Sequence, residues 1–174
     1  MFDLANVAAE EVAVLAAPPD AVWDAATDLT KTPERSIEAR ETAWVPPHTG
    51  PQVGAVFRGV NQRGDWAWTV ECHVTAAERP SSFEWNVLYA GELSSTWWYR
   101  IQAAPDGAEV RHGFQHGPGP SGLRAAMERR PDAAQRIADA RVEELRTAMR
   151  RTLAALEVEA RARAALRGDE PGSR

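Results

Sequence analysis

The sequence predicts an α+β domain in which an antiparallel sheet is covered by one long C-terminal helix. Strict two-residue alternation between residues 57 and 116 is the first sign. Trp66, Trp68, Val70, Cys72 and Val74 alternate with Ala67, Thr69, Glu71, His73 and Thr75. Phe83, Trp85 and Val87 alternate with Glu84 and Asn86, and Trp97, Tyr99 and Ile101 with Trp98, Arg100 and Gln102. Val110, His112, Phe114 and His116 alternate with Arg111, Gly113 and Gln115. Side chains on a strand point to opposite faces at each step, so every segment has one apolar and one wet face. That is the pattern of an antiparallel sheet solvated on one side. The second sign is the change of period to about 3.6 after Gly117-Pro118-Gly119-Pro120, and the third is the order itself, strands first and the long helix last.

Residues 10–17 read as a first strand of weak alternation. A short helix begins near Pro19, since proline suits a first helical turn and Asp20 suits its dipole. Val22, Trp23 and Ala26 form its apolar stripe. Residues 30–36, with Pro33, read as a loop or a broken helical turn. Residues 37–45 form a strand stopped by Pro46-Pro47, and residues 48–51 a loop. Residues 53–61 resume the sheet, and Gln62-Arg63-Gly64-Asp65 has hairpin turn chemistry. Glu78-Arg79-Pro80-Ser81 and Ala104-Pro105-Asp106-Gly107 separate later strands, whereas residues 88–93 read as a looser connection. Ser121 is an N-cap for a short helix through Arg130. Pro131 then restarts a helix to about Arg167, with Ile137, Leu145, Ala148, Met149, Thr152, Leu153 and Leu156 on one stripe. Such a helix is about 50 Å long. Residues 1–167 make one domain, and residues 168–174 are expected to be a disordered tail.

Composition narrows the function. The net charge of −5, with no basic stripe among the aromatics, argues against nucleic acid as a partner. No apolar run approaches the roughly 20 residues of a membrane span. Asp3, Glu10 and Glu11 with no basic start argue against a signal peptide. A single cysteine, Cys72, excludes an internal disulfide and a thiolate metal site. A cytoplasmic location is the expectation.

Certain residues carry a resemblance to a known family. They are Ala17-Pro18-Pro19-Asp20-Ala21-Val22-Trp23, Asp28, the stretch Val53-Gly54-Ala55-Val56-Phe57-Arg58-Gly59-Val60-Asn61, and Trp68-Thr69-Val70-Glu71-Cys72. Phe83-Glu84-Trp85, Thr96-Trp97-Trp98-Tyr99 and Gly107-Ala108-Glu109-Val110 complete the set. The chain resembles the START-related (SRPBCC) superfamily, the helix-grip fold of the birch pollen allergen. It looks closest to bacterial polyketide cyclase/dehydrase-like proteins. The resemblance implies a curved sheet of about seven antiparallel strands wrapped on the C-terminal helix, with two short helices after the first strand. It also implies a deep hydrophobic cavity between sheet and helix. No cofactor is expected. One departure stands out: many relatives carry a tryptophan near a proline after Asp28, and Thr32-Pro33-Glu34-Arg35-Ser36 has none.

The candidate ligand-binding residues are the inward-facing Phe57, Asn61, Trp66, Trp68, Trp85, Trp97, Phe114 and His116. Aromatic walls suit flat, conjugated ligands. Trp85 and Trp97 are equally readable as core residues whose truncation costs roughly 3–5 kcal/mol. Asn61 directly precedes a turn, where asparagine is common for backbone reasons. His116, beside Gly117-Pro118, also reads as a solvated rim residue. His112 and Tyr99 are the candidate catalytic pair, because a histidine titrating near neutrality and a phenol can exchange protons with a substrate. Each is also readable as a satisfied core group. His112 and His116 lie about 13 Å apart along one strand, so they share no metal, and no metal site is expected. Cys72 reads as an inert buried thiol. Trp98 points outward and hints at a homodimer contact. Three functions follow: binding of a hydrophobic, aromatic or polyketide-like molecule, a polyketide cyclase or aromatase acting mainly by folding its substrate, and a co-chaperone-like interaction module.

Overall fold

In the computed structural model, which describes residue 4 and residues 7–168, one sheet is covered on one face by helices. Strand β1 (Ala8–Leu15) leads to α1 (Pro19–Thr27), a single 3-10 turn and α2 (Thr32–Arg35). The remaining strands are β2 (Ala39–Trp44), β3 (Val56–Arg63), β4 (Trp66–Glu78), β5 (Ser82–Tyr89), β6 (Glu92–Ala104) and β7 (Gly107–His116). Helix α3 (Gly122–Arg129), another 3-10 turn and α4 (Ala134–Gly168) complete the chain. All seven strands form one antiparallel sheet in the order β1-β7-β6-β5-β4-β3-β2. This is the predicted α+β helix-grip architecture. The tail expected at residues 168–174 lies outside the described residues except for Gly168, which ends α4.

Register explains which side chains share the inner face. Phe57 pairs with Cys72, Cys72 with Val87, Val74 with Trp85, Trp85 with Trp97 and Trp97 with Phe114. Tyr99 lies between Phe83 and His112 in the same way. The alternation therefore survives three register irregularities, one of which, between Val74 and Ala76, returns Ala77 to the inner side opposite Phe83.

Several boundaries differ from expectation. β1 runs from Ala8 to Leu15 rather than 10–17, and β3 begins at Val56 because Gly54 turns the chain at φ 83°. Residues 88–93 are not a loose connection. Ala90 and Gly91 both have positive φ, 53° and 80°, the signature of a two-residue type I′ hairpin whose twist matches the strands. The broken turn at 30–36 resolves into the 3-10 turn and α2, held by Arg35.

Helix α4 has 35 residues, about 52 Å at 1.5 Å per residue. It packs on α1, α3 and the β1–β7 side of the sheet. Ala138, Leu145, Met149, Thr152, Leu153, Leu156 and Ala160 are its buried residues, while Ile137 and Ala148 of the expected stripe are half-buried. The core divides into two clusters. One joins α1 and the C-terminal half of α4 to Phe57, Val74, Phe83, Tyr99 and Ile101. The other joins α3 and the N-terminal half of α4 to Ala9, Phe114 and Met127.

Trp98 is not a free surface indole. Its ring lies flat on Gly113, where a Cβ would sit 2.0 Å from the indole, so only glycine fits. Its Nε1 donates to Glu10 at 3.0 Å and the Arg100 guanidinium stacks 5.1 Å from the ring. A half-buried indole held this way on the outer face has a structural task within the chain.

Candidate functional site

At the seam between the two core clusters the inner face is only half covered. Trp85, Val87 and Val70 pack against the first cluster and Trp97 and Ile137 against the second, yet all five remain half-buried. Inner-face side chains in the middle of a sheet keep accessible surface only where the covering helix stands away from them. Here α4 leans toward β1 and β7 and leaves the β3–β5 side less occupied. Trp85 and Trp97, readable from the sequence as core or as ligand-binding residues, thus keep part of their surface accessible. The indoles of Trp85 and Trp97 lie parallel within 8°, 6.4 Å apart. Phe57 touches Trp85 at 6.1 Å, and Phe114 meets Trp97 edge-on at 4.9 Å. Two open clefts lie elsewhere, one of about 480 Å³ among Glu10, Arg100 and Arg111, and one of about 270 Å³ beside Arg58, Glu71 and Val70.

Trp66 and Trp68 sit apart from this wall. They stack on each other at 4.2 Å near the β3–β4 hairpin tip, beside Asn61, the cross-strand partner of Trp68. Trp66 is 48% exposed and lies against Gly122 at the start of α3. Arg63 of the same hairpin grips both carboxylate oxygens of Glu144 at 2.6 Å, and Arg141 grips Glu38, so the tip is fastened to α4. These residues form a rim between sheet, α3 and α4.

The two polar candidates at the seam are neighbours. Tyr99 and His112 are cross-strand partners with stacked rings, centroids 4.3 Å apart at 19°. Both side chains are more than nine-tenths buried. Nδ1 of His112 lies 3.1 Å from the Trp98 carbonyl, which can only accept, so Nδ1 carries the proton and Nε2 is left as a lone-pair acceptor. Every sealed side-chain nitrogen and oxygen among the described residues has a hydrogen-bond partner. The Tyr99 hydroxyl and His112 Nε2 have none among those residues, so both atoms reach accessible space. Burial pushes the imidazole down to about 4, against a smaller upward pull from the Trp98 carbonyl. Burial likewise pushes the phenol up to about 12. Both groups are neutral near pH 7, and a base of pKa about 4 is weak there. The expectation of a histidine titrating near neutrality does not hold.

His116 is built differently. Its Nδ1 donates to the Gly117 carbonyl at 2.6 Å, and its Nε2 accepts from the Ser121 hydroxyl at 2.8 Å. Ser121 in turn accepts from Arg124 N as the α3 N-cap. Both ring nitrogens are consumed and the residue is buried, so it is neither a solvated rim residue nor free to bond a ligand. It clasps α3 to the sheet. Cys72 is buried at the wall, where burial pushes its thiol well up and leaves it inert. No group of three or more His, Cys, Asp or Glu side chains among the described residues is placed to hold a metal ion, and no described helix is long and apolar enough to cross a membrane.

A family described as polyketide cyclase/dehydrase and lipid transport matches residues 6–160, from β1 through most of α4. The chain belongs to that family. Among solved structures, a polyketide-cyclase-like protein of Corynebacterium glutamicum is 26% identical over 87% of this chain and 89% of its own, with a TM-score of 0.63. An aromatase/cyclase of Streptomyces sp. R1128 is 18% identical over 90% and 94%, with a TM-score of 0.63. A Thermus thermophilus protein is 12% identical over 90% and 99%, with a TM-score of 0.64. The last two likenesses are of fold alone. No curated protein matches the chain.

Within this member of the family, one residue near the seam had no sequence signal. Arg35 is 3% exposed. Its guanidinium donates to the carbonyls of Ala25 and Asp28, to Thr32 Oγ1 and to Glu159. It lies close enough to Tyr99 and His112 to act on both electrostatically. Only the folded chain brings it to α4, where it pairs with Glu159.

The buried imidazole also predicts acid sensitivity. The folded-state pKa of about 4 lies below the ordinary 6.5, so the unfolded chain takes the proton first as pH falls. The stability carried by neutral His112 is complete above about pH 6.5 and is lost as pH drops toward 4. Between pH 7 and 5 the expected loss is about 2 kcal/mol, with a same-signed contribution from His116, whose pKa burial also lowers. Urea midpoints at the two pH values measure it, and H112Q should flatten the difference. Equal acid sensitivity in both proteins would contradict it.

Proposed function

We propose that the protein binds an apolar, aromatic small molecule at the seam between the sheet and α4. The observation that carries this reading is the set of half-buried Trp85, Trp97, Val87 and Val70 on the inner face of the central strands, between two otherwise well-packed clusters. Parallel indoles favour flat ring systems. Phe57 and Phe114 extend the wall, and Trp66, Trp68 and Asn61 form its rim. The known family is consistent with a ligand site of this kind, and the ligand's identity is part of the proposal.

Titration with the neutral dye Nile red tests it. Enhanced dye emission, excited by transfer from tryptophan, and displacement by naphthalene are expected. W97A should weaken binding about tenfold or more by removing one parallel ring. No dye enhancement at millimolar protein would exclude the site.

A second reading is supported by the unpartnered Tyr99 and His112. In a cyclase or aromatase, most of the rate would come from holding a flexible chain in a reactive shape. The phenol would donate to a developing enolate, and His112 would position rather than deprotonate. Turnover of a poly-β-ketone that falls by about 10² or more in Y99F distinguishes this reading from binding alone.

A further inference from the structure

We propose that the ligand presents an uncharged hydroxyl to Tyr99 and His112, accepting from the phenol and donating to imidazole Nε2, so that the site selects phenols and enols over carboxylates and amines of the same ring system. This rests on the reading of the seam as a ligand site and adds what the ligand's polar group must be.

The requirement comes from the two atoms together. Cross-strand pairing puts both side chains on the inner face, and ring stacking at 4.3 Å presents them side by side. The Trp98 carbonyl holds the proton on Nδ1, so Nε2 offers only a lone pair. The phenol offers a proton. Neither atom has a protein partner among the described residues, and neither is sealed from solvent. A ligand that covers them must pair both, because a polar group buried without a partner is costly. A single hydroxyl satisfies both at once, one lone pair to the phenol and one proton to the imidazole. A ketone or an ether satisfies Tyr99 alone and leaves Nε2 bare.

Charge is excluded by what surrounds the pair. A carboxylate would set its lone pairs against that of Nε2. The buried cation nearby, Arg35, has its donors committed to two carbonyls, Thr32 and Glu159. A ligand ammonium would need a free carboxylate. Of the acidic groups near the seam, Glu159 faces Arg35 and Glu11 bonds Arg150. Burial keeps both Tyr99 and His112 neutral near pH 7. An ionised ligand would therefore be desolvated without compensation.

Displacement of Nile red from the intact protein at pH 7 by four compounds of one size tests the proposal: 2-naphthol, 2-methoxynaphthalene, naphthalene and 2-naphthoate. 2-Naphthol is expected to bind about tenfold more tightly than 2-methoxynaphthalene, and 2-naphthoate most weakly. Y99F removes the bond that naphthol and its ether share, so both should weaken toward naphthalene with their ratio kept. H112F removes the acceptor that only naphthol uses, so it should bring naphthol down to the affinity of the ether. Equal affinities for naphthol and its methyl ether, tightest binding of naphthoate, or a naphthol advantage over the ether that survives H112F would overturn the proposal while leaving the site intact. Failure of Nile red and naphthalene to bind at all would overturn the site itself.

Discussion

Phe83→Ala is expected to lower the unfolding free energy by about 3–5 kcal/mol. Phe83 is 1% exposed on the inner face of β5, opposite Ala77 on β4 and Tyr99 on β6. Its ring meets Trp85 at 5.2 Å, and the adjacent Ser82 carbonyl accepts from Trp23 Nε1 of α1 at 3.2 Å. Truncation would open a cavity where sheet and α1 meet. Trp85→Ala, two residues along the same face, should cost less although it removes a larger side chain, because Trp85 already keeps accessible surface at the seam. Urea unfolding compares the two through the midpoint at constant m-value. If Trp85→Ala proved the more damaging, the seam would be packed like the rest of the core.

Arg35→Ala should cost a similar amount, about 3–5 kcal/mol. The guanidinium is sealed between α1, α2 and α4, where it closes the C-terminal carbonyls of α1 and pairs with Glu159 at 3.3 Å. Its removal leaves a partly buried carboxylate whose pKa burial already raises, with Arg163 as the remaining cation pulling it down, and it strands the Ala25 and Asp28 carbonyls. Breaking one half of such a pair is costly because the other half stays desolvated. Arg35→Met with Glu159→Leu removes both charges and should recover part of the loss. A double-mutant cycle measures the coupling, and additive single effects would show that the pair is not coupled.

Much of the site was legible before folding. Parity alone placed Phe57, Trp85, Trp97, Tyr99, His112 and Phe114 on one face, because a strand's period of two tolerates no drift and the register irregularities fall where they preserve it. Parity could not say whether that face was sealed. Trp85 and Trp97 read equally well as core or as wall, and the difference depends on how far α4 stands from β3–β5. His116 shows the same limit from the other side. Its position on the inner face was readable, but its role as a clasp depends on Ser121 folding back to cap α3.

The sequence by itself determined the architecture and the chemical character of the inner face. Alternation, turn residues and a change of period are local properties, and each residue carries its share regardless of the rest of the chain. Tertiary structure alone decided which polar groups are free. Tyr99 and His112 lie 13 positions apart in sequence, and Arg35 and Glu159 lie 124 apart. Whether a hydroxyl, an imidazole nitrogen or a guanidinium is satisfied depends on acceptors delivered by other elements: Trp98 O to His112, Ser121 to His116, and α1 and α4 to Arg35. Hydrogen bonding is short-ranged and directional, so no pattern along one strand encodes it.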